Sequence, residues 1–153
     1  MTAPSRILVD ADACPVKAEA VKVAERHRLE AVFVANQWLQ LPRSPSARMQ
    51  VVSGAFDAAD DWIADQAGPC DVVVTADIPL AARCLKRGAQ VLGPSGKPFT
   101  DDNIGSALAT RELMSDLRAY GVGGGPPAFS PRDRSRFLDA LELSIRKAID
   151  RTR

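Results

Sequence analysis

Asp71-Val72-Val73-Val74-Thr75 is followed by Ala76-Asp77 and then by Ile78-Pro79-Leu80-Ala81-Ala82-Arg83-Cys84-Leu85-Lys86-Arg87-Gly88. Three consecutive valines between polar residues read as a buried strand. From Ile78 the apolar spacing turns helical, and Gly88 supplies the usual C-terminal stop. A strand feeding directly into a helix, with a carboxylate at the junction, is half of a βαβ unit.

The same pattern recurs upstream. Arg6 to Asp10 is a short apolar run ending at a carboxylate, and Pro15 suits the first turn of a helix running to about His27. Val16, Ala20, Val23 and Ala24 fall on its inner face. Leu29 to Val34 is a second strand, and a loop from Asn36 to Arg48 follows it. Met49 to Val52 is a third strand, and Asp57 to Ala67 a helix with Phe56, Ala59, Ile63 and Ala67 on one face. Gln90 to Leu92 is a fifth strand. Beyond it, Gly93 to Pro98 is a turn-rich connection. Thr100 and Asp101 are placed to cap a helix reaching Tyr120, and Gly121 to Pro127 is a flexible linker. Ser130-Pro131-Arg132-Asp133 starts a last helix carrying Phe137, Leu138, Leu141, Leu143, Ile145 and Ile149. Strands alternating with helices predict an α/β fold, with a mainly parallel sheet covered on both faces and C-terminal helices added to it. One domain is expected over 1–153, its helical extension beginning at about residue 100.

The chain's 153 residues are 46% hydrophobic and 25% charged, as in ordinary globular proteins. Twenty basic residues against 19 acids give a net charge of +1, which excludes a strongly basic nucleic-acid packaging protein. No stretch reaches the length of a membrane span, and no signal peptide is expected. Cys14, Cys70 and Cys84 are odd in number and form no CxxC pair, so a reducing cytoplasm is the expected setting.

In an open α/β sheet, sites form beyond the carboxyl ends of the strands. Asp10 and Asp12 follow the first strand, Asp57, Asp60 and Asp61 open a helix, and Asp77 follows the fourth strand. Parallel neighbours lie about 4.8 Å apart, so acids at adjacent strand ends can converge. Ionised carboxylates gathered this way repel one another unless a hard cation lies between them, and oxygen-only donors favour Mg²⁺ or Mn²⁺. Structural alternatives exist: Asp12 could cap the first helix and Asp57 the second, and helical geometry alone does not choose among Asp57, Asp60 and Asp61. Asp65 and Asp71 read as solvated surface charges. Thr75 and Asn36 end strands beside this cluster and are candidate substrate contacts, Thr75 donating to a phosphate oxygen or else to a metal-bound carboxylate, with strand-edge packing as its structural alternative. Cys14 precedes a helix N-terminus, but the only histidine, His27, lies about 20 Å away along that helix, so Cys14 reads as a packing residue. Cys70 and Cys84 read as buried apolar groups. Ser95-Gly96-Lys97 lacks phosphate-loop spacing. Basic residues outnumber acids from Arg111 onward, whereas acids lead before it, so a basic tail beside an acidic site could hold a phosphodiester backbone.

Val9-Asp10-Ala11-Asp12-Ala13-Cys14-Pro15-Val16, Thr75-Ala76-Asp77-Ile78-Pro79-Leu80-Ala81, Phe99-Thr100 with Asn103-Ile104, and Gly124-Gly125-Pro126-Pro127 with Asp133-Arg134 resemble the bacterial YaiI/YqxD proteins. The resemblance spans essentially the whole chain and implies a three-layer PIN-like fold, whose best-known members are Mg²⁺- or Mn²⁺-dependent ribonucleases. It implies an acidic metal site on Asp10, Asp12 and Asp77 with one of the helix acids, and RNA as the partner. Asp10-x-Asp12 departs from the single aspartate typical there. Two other functions fit the residues: a haloacid-dehalogenase-like phosphatase, with Asp10 as nucleophile, Asp12 as acid and Thr75 on the phosphate, or a non-catalytic RNA- or protein-binding domain.

Overall fold

The computed structural model describes residues 5–12, 14–54, 57–121 and 128–151. Phe56 and residues 122–127 of the expected linker lie outside the described residues. The elements run β1 (Arg6–Asp10), α1 (Lys17–His27), β2 (Glu30–Ala35), β3 (Ala47–Val51), α2 (Ala58–Gln66), β4 (Val72–Val74), α3 (Ile78–Lys86), β5 (Gln90–Leu92), β6 (Pro98–Phe99), α4 (Ile104–Ala119) and α5 (Pro131–Asp150). The sheet order is β3-β2-β1-β4-β5-β6, parallel throughout except for β6, which pairs antiparallel with β5.

Alternation along the strands builds two cores. Ile7, Val9, Phe33, Val72 and Val74 face α1 and α5, while Leu8, Val32, Val34, Val73 and Val91 face α2 and α3. The result is three layers, consistent with a PIN-like fold. The two C-terminal helices are not equivalent. Phe137, Leu141, Ile145 and Ala148 of α5 are fully buried, whereas α4 buries no residue at all. Ser130 and Asp133 start α5 with a reciprocal capping box.

Several sequence expectations change. Asp71 is a buried ion-pair partner of Arg6 at 3.0 Å rather than a solvated charge. Leu143 is 56% exposed, since it falls off the inward stripe of α5. Cys70 is only partly buried. Asn103, not Thr100 or Asp101, occupies the N-cap position of α4; Thr100 instead exchanges hydrogen bonds with Asn103 across the turn. The two-residue β6 falls in a stretch read as a turn-rich connection, too short to leave an alternation signal.

At Gly96 the β5–β6 turn adopts φ +90, and an added Cβ there would stand 2.5 Å from the Arg136 carbonyl carbon. Only glycine lets this turn seat itself against the start of α5.

Candidate functional site

The sheet order reverses between β1 and β4, because β2 and β3 build outward from one side and β5 from the other. Such a reversal leaves a crevice beyond the carboxyl ends of the two central strands. Val9 is in register with Val74, so Asp10 ends one wall and Thr75-Ala76-Asp77 leaves the other. The cleft, about 540 Å³, is lined by Asp10, Asp12, Asn36, Asp57, Asp60 and Asp77, with Arg83 and Arg111 among its further lining residues.

Each acid is held differently. Asp10 Oδ2 accepts a 2.8 Å hydrogen bond from the Thr75 hydroxyl, whose oxygen in turn accepts from the Asp77 amide at 3.0 Å. One buried threonine thus ties the two strand ends together. With its hydroxyl engaged on both sides and 1% of its surface exposed, Thr75 donates to a carboxylate, one of the two hydrogen-bonding roles expected of it. Asp77 N-caps α3, its Oδ1 accepting from the Leu80 amide at 3.1 Å, which leaves Oδ2 outside that cap bond. Asp12 is exposed and does not cap α1, whose N-cap position is Val16. Asp57 occupies the N-cap position of α2 but makes no side-chain cap bond. Asp12 thus does not cap a helix, whereas Asp57 takes the expected cap position without contributing a side-chain bond. Asp61 departs from the group: it pairs with Arg83 at 2.9 Å and does not line the cleft.

The electrostatics centre on Asp60. Partial burial, then the charges of Asp77, Asp10 and Asp57 and a hydrogen bond with Asp77, push its carboxyl up to about 6. Asp10 is also raised, chiefly by burial, against the opposing Thr75 hydrogen bond and with help from Asp77 and Asp12. Neither Asp10 nor Asp77 has an arginine or lysine ion-pair partner among the described residues. Burial pushes the Cys14 thiol up and takes Cys84 to about 12, so neither is an activated nucleophile. His27 sits across the molecule on Glu142, 2.8 Å away, and takes no part.

The donor set is all carboxylate oxygen, which suits a hard divalent cation and no other common metal class. Among the described residues no three His, Cys, Asp or Glu stand close enough to form a finished metal shell. An ion would have to draw Asp10, Asp60 and Asp77 closer together, its charge offsetting the mutual repulsion that, after burial, raises Asp60. The residues fit such an ion in chemistry and in placement around one cleft. Asp60 was one of three helix acids that spacing could not separate; its turn toward Asp77 depends on how α2 packs against α3.

A model of the family described as "Uncharacterized BCR, YaiI/YqxD family" matches residues 8–147. A UPF0178 protein from Rhodopseudomonas palustris (strain BisB18) is 58% identical over 145 residues, covering 94% of both chains. One from Azorhizobium caulinodans is 58% identical over 143 residues, covering 93% of this chain and 90% of its own. One from Bradyrhizobium diazoefficiens is 54% identical over 145 residues, covering 94% and 87%. No solved structure matches the chain.

Proposed function

The chain belongs to the YaiI/YqxD family, and we propose that it is a divalent-metal-dependent phosphodiesterase, above all a ribonuclease, acting at the cleft between β1 and β4. The observation that carries this reading is the group of Asp10, Asp60 and Asp77, without ion-pair partners among the described residues, around one cleft at the switch point of the sheet, where burial and then the neighbouring charges lift Asp60 to about 6.

Asp10, Asp60 and Asp77 would hold Mg²⁺ or Mn²⁺, with Asp12 and Asp57 on the rim. When bound, the ion supplies Lewis-acid stabilisation of charge on a phosphodiester. The protein's own groups do the rest. Thr75 holds the Asp10 carboxylate and the α3 cap holds one oxygen of Asp77, so both side chains start beside the cleft before anything binds. Asp60, its carboxyl raised to about 6 in the absence of an ion, gives up that proton readily when a cation binds beside it. Arg111 lines the cleft beside the acids and is placed to meet a phosphate oxygen.

The phosphatase alternative needs Thr75 to contact phosphate, and its hydroxyl is already engaged by Asp10 and the Asp77 amide. A test follows from Asp77→Asn, which keeps an N-cap side chain and so the start of α3. Cleavage of single-stranded RNA should require Mg²⁺ or Mn²⁺, stop with EDTA, and fall at least about 100-fold in this variant. RNA cleavage undiminished in Asp77→Asn would overturn the proposal.

A further inference from the structure

A second groove of about 490 Å³ opens beside the cleft, between the start of α3, the β5–β6 turn and one face of α4, and the two share Arg111. Its apolar lining includes Ile78, Phe99 and Met114; its charged residues are Lys97, Arg111 and Arg118, all basic. None of these three cations has an ion pair among the described residues, in contrast to Arg6, Arg48, Arg83, Arg134 and Arg146. Arg111, Met114 and Arg118 follow at i, i+3 and i+7, so one stripe of α4 faces the groove over about 10 Å. That stripe stays open, because α4 buries no residue against the body and Met114 is 40% exposed. Lys97 approaches from the opposite wall, held there by the turn whose Gly96 rests on α5.

Resting on the phosphodiesterase reading, we propose that this groove carries the strand of single-stranded RNA flanking the scissile phosphate. Lys97, Arg111 and Arg118 would take successive backbone phosphates, and Phe99 and Met114 the apolar faces of bases. The charge pattern supports this occupant: an acidic centre built to hold cations passes, through Arg111, directly into a purely basic channel. Only one aromatic ring lines that channel, so the grip is led by phosphate and tolerant of sequence.

The test measures anisotropy of a fluorescein-labelled oligouridylate in EDTA across a KCl series. Three phosphate contacts predict a slope of log affinity against log salt of about −2, each contact contributing about −0.7. Combining Lys97→Gln, Arg111→Gln and Arg118→Gln should bring that slope close to zero and weaken low-salt binding by at least about 10-fold. Circular dichroism checks that the variant is folded, and Arg118→Gln alone, farthest from the cleft, should lower the slope by about 0.7. Undiminished binding by the triple variant, or equal competition by poly-glutamate, would overturn the proposal. Binding with the expected slope by a protein that cleaves no RNA would uphold the groove and overturn the phosphodiesterase reading; cleavage with an indifferent groove would do the reverse.

Discussion

Asp60 shows how a single side chain can record the purpose of its surroundings. A carboxyl raised above its ordinary value keeps its proton longer in the folded state than in the unfolded one. Its contribution to stability therefore falls as pH rises from about 4 through 6, the reverse of an ion-paired aspartate. In EDTA at about pH 7.5, Asp60→Asn should stabilise the protein by on the order of 1 kcal/mol after solvent screening, about 2–4 °C in Tm. The same variant should gain less than the unaltered protein when Mg²⁺ is added, because a ligand has gone. Thermal melts in EDTA and in Mg²⁺ check both halves, and a Tm in EDTA below that of the unaltered protein would contradict the repulsion inferred here.

At the scale of elements, the β5–β6 turn joins structure to the proposed site. Gly96→Ala adds a Cβ against the Arg136 backbone at a positive φ, so it should cost about 2 kcal/mol or more, read as a lower urea midpoint. No change in midpoint would mean that the turn can leave α5 freely. Much of this architecture was legible beforehand. Val72 to Val74, and the alternation of strand and helix, give five strands and their helices to within a few residues, because long-range burial reinforced local periodicity. The placement of Asp10 and Asp77 on neighbouring strands was legible for the same reason. What the pattern could not reveal depends on tertiary packing. β6 is two residues long, Asp71 meets an arginine 65 positions away, and Asp61 turns to Arg83 while its neighbour Asp60 turns to Asp77. For Thr75 the sequence left a carboxylate and a phosphate oxygen as alternative acceptors, and only the packing of β1 against β4 brings Asp10 to its hydroxyl.

For the molecule as a whole, the last helix belongs to the core although it comes last in the chain. α5 supplies Phe137, Leu141 and Ile145 to the same face of the sheet as α1, and Glu142 binds His27 across the gap. Phe137→Ala should cost about 3–5 kcal/mol, with a single cooperative unfolding transition retained. A loss below about 1 kcal/mol would mean that α5 is an appendage. No helix among the described residues is long and apolar enough to cross a membrane. The near-zero net charge conceals a polarity, with acids converging at the centre of the sheet and free cations lining the channel beside α4.

The pairing of β1 with β4 has a temporal consequence. The Thr75–Asp10 bond bridges 65 positions, with α1, β2, β3 and α2 lying between. Contacts so distant in sequence form late, after the intervening loop has been closed at an entropic cost. During synthesis, then, the carboxylates stay apart and individually hydrated until the fourth strand has emerged, and their mutual repulsion arises only once enough apolar surface is buried to withstand it.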